Sequence, residues 1–245
     1  MKDFLKGLRY PLQGFSYIML PGIRPYIIIP LLVNSLLFLL VIFYGVHRVI
    51  ELGDWISSRW GWAAWAQWLL WPLFFMVTIT IVFFCFSLVA NMIAAPFNGY
   101  LSAAVDRYLE NIQEPGIGTW RNVPGEIITA IINESGKLLY FLMWAIPLLL
   151  LFIIPVVNFA APLIWLLFSS WLISLEYMDY PMSNQGLKFS EIRARLYPHR
   201  SICMGFGLAT LGMTMVPFIN FLAMPVAVIS ATRLCHDEIK QHVIE

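Results

Sequence analysis

Charge is scarce in this sequence. Only 12% of its 245 residues are Asp, Glu, Lys or Arg, about half the share of an ordinary soluble domain. The basic and acidic residues nearly cancel, to a formal net charge of +1, so there is no field for gathering phosphates and no nucleic-acid partner is expected. Cysteine is sparse as well. Cys85, Cys203 and Cys235 are far apart, odd in number and form no CxxC pair for zinc or redox chemistry, which makes them small buried residues. The N-terminus has Lys2, Lys6 and Arg9 but no short apolar core before a cleavage site, so no removable signal peptide is expected. Catalytic signatures are missing too: no GxxxxGK[ST] loop for ATP and no HExxH pair for zinc. His47, His199, His236 and His242 fall at polar margins, and the last two do not share a helical face. No enzyme, no metal site and no cofactor is therefore expected.

What is present is apolar. Hydrophobic residues make up 60% of the chain and aromatics 16%, with a mean hydropathy of +0.77, so the principal solvent is lipid. Residues 1–20 place Phe4, Leu5, Leu8, Leu12, Phe15 and Met19 at helical spacing with Lys2, Lys6, Arg9 and Gln13 off that stripe, which predicts a helix lying among lipid headgroups, bent at Pro11. Tyr26 to Val46 is uncharged, and the first spanning helix is placed at 26–50; Pro72 to Ala95 is the second, each with the roughly 20 residues that a crossing needs. Between them, His47 to Trp71 is rich in tryptophan and reads as a surface segment.

The later apolar blocks have awkward lengths. Residues 138–175 are charge-free, too long for one crossing and too short for two with a turn at Ile154–Pro162; the remaining arms reach roughly 23 Å each against a core of about 30 Å. Residues 201–232 repeat the pattern, with Pro217, Asn220, Phe221 and Pro225 echoing Pro155, Asn158, Phe159 and Pro162. Two helical hairpins that dip partway into the bilayer fit these lengths, and their turns then need cover from protein or water, which favours an oligomer or a pore. Ordinary spanning helices with tight prolyl turns are the alternative. "GFGLATLG", Gly205 to Gly212, has the wrong spacing for a phosphate loop and reads as close helix packing. The balance of Lys and Arg around the spans places the N-terminus in the cytoplasm.

One short stretch combines charge with the membrane edge. In "IMLPGIRPYIIIP", Ile18 to Pro30, Pro25 suits the first turn of a helix and Arg24 falls near its N-cap. The amides of Gly22, Ile23 and Arg24, the positive helix end and the guanidinium would together suit a tetrahedral oxyanion. An arginine reaching for lipid phosphates is the other reading. Beyond the second span, Asn91, Asn98, Asp106, Arg107 and Glu110 could line a pore or its vestibule, or form an ordinary solvated face. No Asp, Glu or His lies within the uncharged stretches Tyr26–Val46 and Pro72–Ala95 to carry a coupled proton, which leans toward a passive pathway.

"LPGIRPYIIIPLLVN" before the first span, "AAPFNGYLSAAVDRYLE" after the second and the Pro/Asn-Phe turns together resemble the CysZ family of bacterial sulfate permeases over nearly the whole chain. The resemblance implies an all-α membrane protein with an N-terminal amphipathic helix, two long transmembrane helices and two half-penetrating, re-entrant hairpins. It implies a homo-oligomer in the bacterial inner membrane, in contact with lipid, that admits sulfate for cysteine biosynthesis; sulfite and other oxyanions are further candidates. The family's Gly-Leu-Arg sulfate element matches Gly22, Ile23 and Arg24. Where members often carry a second arginine this sequence has Pro25, leaving Arg9, or Arg24 of a neighbouring subunit, as the source of a second charge. A non-transporting scaffold or lipid-binding protein is the alternative function.

Overall fold

A computed structural model describes residues 1–59, 72–73, 75–77, 79–80, 97–112 and 123–240. Among them regular structure is helical, with no strand. The helices are α1 (Lys2–Gly14), α2 (Arg24–Arg59), α3 (97–109), α4 (Val123–Leu150), α5 (Ala161–Ser183), α6 (Phe189–Leu196), α7 (Arg200–Thr214) and α8 (Pro217–Leu234). Among the described residues, three stretches are long and apolar enough to cross a membrane: Arg24–Arg48, Ala161–Ser183 and Phe218–Ile239. The chain divides into two compact units, Met1–Pro25 with Asn98–Glu245, and Tyr26–Phe97.

In the smaller unit, α2 does not stop where its uncharged run ends. It continues as helix to Arg59, about 54 Å in all against a hydrocarbon core of about 30 Å. The polar extension is held by pairs on its own surface: Arg48 and His47 lie 2.7 and 3.3 Å from Glu51, and Arg59 sits 5.9 Å from the Trp55 ring centre. Thus the expected surface segment begins as a prolongation of the spanning helix. Of the expected second span, 72–73, 75–77 and 79–80 are helical; its remainder, with Trp60 to Trp71 and Cys85, lies outside the described residues.

The larger unit is organised around α8, whose run from Val226 to Thr232 is fully buried. Helices α1, α5 and α7 pack on it, and α7 also packs on both α1 and α5. Their close approach depends on missing side chains: a Cβ on Gly7 would overlap the backbone of Ile202, one on Gly205 the backbone of Phe4, and one on Gly207 the backbone of Ser170. The glycines of "GFGLATLG" are packing residues at these two positions, whereas Gly212 meets nothing within 4 Å. Buried hydroxyls bond back into their own helices, Ser230 to the Val226 carbonyl at 2.7 Å and Thr210 to that of Phe206 at 2.9 Å. They tie helices together: Thr232 also meets Ser102 of α3 at 2.9 Å, and Ser174 meets the Cys203 carbonyl. Cys203 and Cys235 are buried.

Helix α1 divides its circumference in three. Gly7, Tyr10, Pro11 and Gly14 are buried. At 100° per residue the stripe through Leu5, Leu8 and Leu12 is rotated from that face by about 145° one way and the polar stripe through Lys2, Lys6 and Arg9 by about 125° the other. Leu5 and Leu12 accordingly stay exposed. Gly7, Gly14, Pro11 and Tyr10 hold the helix to the protein, and Leu5 and Leu12 face away from the packed helices.

Two helical pairs occupy the expected hairpin regions. Helices α4 and α5 are joined by residues 151–160, with a short turn at Val157–Phe159 and Val156 at φ 70°. The second join differs from the expected repeat of the first turn through Pro217, Asn220, Phe221 and Pro225. Only Met215 and Val216 separate α7 from α8, because Pro217 takes the first helical position, where a missing N–H costs nothing, and Pro225 is carried inside the helix. Asn220 therefore belongs to the first turn of α8, its N–H 2.8 Å from the Val216 carbonyl, whereas Asn158 lies in a loop. Phe159 and Phe218, at the two tips, are 87% and 86% exposed.

Candidate functional site

Downstream of α1, Phe15–Tyr17 forms a short turn, and Pro21 to Ile23 turns the chain into α2. The carbonyl of Leu20 closes this corner by accepting the N–H groups of both Ile23 and Arg24 at 3.0 Å. Ile23 is 1% exposed and anchors the corner, while Gly22 and Arg24 face outward. This corrects the expected donor set. Two of the three amides are committed to the backbone, leaving the guanidinium and the positive end of α2 as the anion-attracting elements. The Arg24 side chain makes no ion pair or hydrogen bond among the described residues. It stands at the start of the most apolar of the three spanning-length stretches among the described residues.

The other candidates separate. Asn98 is 6% exposed and its amide donates to the Tyr180 hydroxyl and the Met224 sulfur, both at 3.2 Å. It bridges α5 and α8 inside the helix packing, a position for fixing α3. Asp106, Arg107 and Glu110 cluster instead around the C-terminal end of α3, some 12 to 18 Å further along its axis. There Asn111, at φ 54°, ends the helix in the left-handed conformation that asparagine tolerates. Asn91 lies outside the described residues.

Sequence reading missed a second cationic position. The Arg233 guanidinium lies 4.6 Å from the Tyr17 ring centre and 6.0 Å from that of Tyr10, donates to Gln13 at 3.4 Å and approaches Asp237 to 3.9 Å. Tyr17 in turn meets Tyr108 of α3 edge to face at 6.0 Å. The Tyr10 hydroxyl donates toward Glu238 at 3.0 Å and Asp237 at 3.3 Å, and Lys6 pairs with Glu238 at 2.5 Å. Burial, reinforced by the two carboxylates, pushes the Tyr10 phenol well above its ordinary range, so it remains a donor. Arg233 is thus spent on aromatic faces and carboxylates. The Arg-Leu-Cys-His-Asp-Glu run gave no periodic signal for this, since its partners lie more than two hundred residues away.

A further ion pair, of Lys137 with Asp179 at 2.7 Å and Glu176 at 3.5 Å, joins α4 to α5. Helix α5 extends past the expected end at residue 175, so both acids belong to a helix apolar enough to span. They are matched by the lysine.

Residues 10–225 match the family described as "Sulfate transporter CysZ/Etoposide-induced protein 2.4". The chain belongs to this family. Relatives named "Sulfate transporter CysZ" include one from Pseudomonas paraeruginosa, 38% identical over 229 residues, covering 93% of each chain. One from Pectobacterium atrosepticum is 37% identical over 238 residues, covering 94% of this chain and 84% of the relative. A third, from Pseudomonas fluorescens, is 35% identical over 229 residues, with 93% and 92% covered. The CysZ match takes in Gly22 to Arg24 and the whole of α3 through α7. With three apolar helices of spanning length, this CysZ-family chain is a membrane protein.

Proposed function

We propose that the protein is a sulfate permease, a channel-like and passive route for sulfate across the bacterial inner membrane that supplies cysteine biosynthesis. Curated relatives of similar length bear the name "Sulfate transporter CysZ" at 35–38% identity. The observation that carries the reading at residue level is Arg24, exposed and without an ion-pair partner among the described residues at the positive end of a long apolar helix. Gly22, Ile23 and Arg24 form the capture element, in which Ile23 anchors and Arg24 attracts. A single guanidinium is little charge for a dianion, so a second comes from Arg9 or from Arg24 of another subunit in a homo-oligomer. Asp106, Arg107 and Glu110 shape the vestibule, and Asn98 positions their helix.

The half-penetrating arrangement of the two hairpins is supported by the shorter arm of each pair, although α5 and α8 are themselves long enough to cross. The apolar part of α4, Gly136–Leu150, and helix α7 each have 15 residues, about 22 Å against a core of about 30 Å. Exposed aromatic tips suit burial in lipid, and covering the turns within a bilayer again favours an oligomer. The distribution of Lys and Arg supports a cytoplasmic N-terminus.

Purified protein in protein-free liposomes, loaded or challenged with radiolabelled sulfate, tests the function. Gradient-driven uptake that needs neither ATP nor a proton gradient, and that is competed by unlabelled sulfate, is the expected result. Competition by sulfite and thiosulfate ranks the oxyanions. No flux of any oxyanion under any gradient would leave the scaffold reading in its place.

A further inference from the structure

Helices α4 and α6 enclose an open groove of about 360 Å³ whose two sides differ in chemistry. Leu139 and Met143 of α4 form one wall; Lys188, Ser190 and Arg193, at and after the start of α6, form the other. We propose that this groove binds one anionic phospholipid of the surrounding bilayer, its phosphodiester on Lys188 and Arg193 and an acyl chain laid along α4.

The apolar wall does not end at the groove. Leu139, Met143, Ile146 and Leu150 are all exposed and recur along one face of α4. From Leu139 to Leu150 the strip measures about 16 Å, close to the hydrocarbon depth of one leaflet, half of a core of about 30 Å. The polar end carries the marks of the headgroup level. The Tyr140 hydroxyl accepts a hydrogen bond from the Trp171 indole at 3.1 Å, a pair of the kind that settles at the membrane surface. Arg193 lies over the Tyr140 ring at 5.0 Å, which fixes the guanidinium at that level while leaving its edge for an oxygen ligand.

Charge selects the headgroup. Glu191 is the nearest acid in sequence, and its carboxylate accepts the Lys188 backbone N–H at 2.8 Å, capping α6. Lys188 and Arg193 outweigh it by one positive charge, a match for a phosphodiester whose headgroup brings no ammonium. On a phosphatidylcholine that charge would face the headgroup cation. A free inorganic anion would leave the Leu139 and Met143 wall uncovered, so the occupant is a lipid. Basic positions beside apolar helices are ordinary anionic-headgroup sites, each basic residue contributing modestly.

The test uses the full chain, exchanged into an equimolar mixture of phosphatidylglycerol and phosphatidylcholine and examined by native mass spectrometry. Retention of phosphatidylglycerol over phosphatidylcholine by about tenfold is expected from two basic residues, falling to near parity in a Lys188→Gln/Arg193→Gln double variant of unchanged oligomer size. Leu139→Ser/Met143→Ser should reduce retention of both lipids together. Arg195→Gln, the loss of a positive charge at an exposed neighbouring position, should leave the preference intact. The proposal is overturned if the double variant keeps the preference, if Arg195→Gln abolishes it equally, or if inorganic phosphate displaces the bound lipid.

Discussion

The ammonium of Lys137 stands 2.7 Å from a carboxylate oxygen of Asp179, and both side chains are nearly withdrawn from solvent, at 13% and 12% exposure. The Ser183 hydroxyl donates to the other Asp179 oxygen at 2.9 Å. This contact pins α4 to α5 at the polar end of the first helical pair. Removing one partner strands the other. Lys137→Met is therefore expected to destabilise by about 3 kcal/mol, whereas Lys137→Met/Asp179→Leu recovers most of the loss. Thermal unfolding in detergent, followed by size-exclusion fluorescence, reads both; a double variant as unstable as the single one argues against the clamp.

Glycine contacts on α1 and α7 give a graded series. Gly7→Ala, Gly205→Ala and Gly207→Ala each force a methyl into neighbouring backbone and are expected to cost about 1–3 kcal/mol. Gly212→Ala, with open space around it, is expected to be neutral or to stabilise α7 by up to about 1 kcal/mol. The same melting assay ranks the four.

At the Arg24 corner, Arg24→Ala is expected to lower sulfate flux in liposomes by about tenfold or more, the worth of a charge-assisted contact. Arg24→Lys keeps the charge but loses the planar fork, and should retain an intermediate rate. Flux unchanged in Arg24→Ala, with the oligomer intact, removes Arg24 from the pathway.

Tyr10 couples stability to alkaline pH. Its folded phenol holds its proton above the ordinary value of 10.0, so as pH rises past about 10 the unfolded chain releases a proton that the folded chain keeps, and stability falls. Tyr10→Phe gives up the donor to Asp237 and Glu238, costing about 1 kcal/mol at neutral pH. Its decline between about pH 9 and 11 should be shallower than that of the parent. Parallel slopes in urea titrations at the two ends of that range would count against the assignment.

Hairpin depth is measurable at the tips. Phe159→Cys and Phe218→Cys, labelled with a fluorophore in liposomes, should be quenched by lipids bearing nitroxides along the acyl chain and not by aqueous iodide. Strong iodide quenching at both sites would mean that the turns emerge into water.

Much of the helical plan is visible in the sequence because apolar runs and helical spacing are local properties. The first span and the close packing at Gly205 and Gly207 follow from such patterns. The second turn was misplaced because a proline can mark either a turn or the first helical position, and at Pro217 the two differ by several residues of helix. The continuation of α2 to Arg59 was hidden because its polar face pairs within itself, through Glu51, and so resembles a surface loop. The corner at Arg24 was legible in its charge but not in its amides, since the Leu20 carbonyl takes two of them. Lys137 with Asp179, and Arg233 with Tyr17, were invisible for a different reason: each joins residues far apart in the chain, where no spacing rule applies.

The seating of α1 has a consequence for synthesis. Its docking surfaces, Ile202 and its neighbours on α7 and the Arg233 to Glu238 segment, are made some two hundred residues after Gly7 and Tyr10. During translation α1 therefore waits for its docking surface until nearly all of the larger unit has been made. Helix α1 is thus among the last to be locked in place, although its own residues are made long before those of α7 and α8.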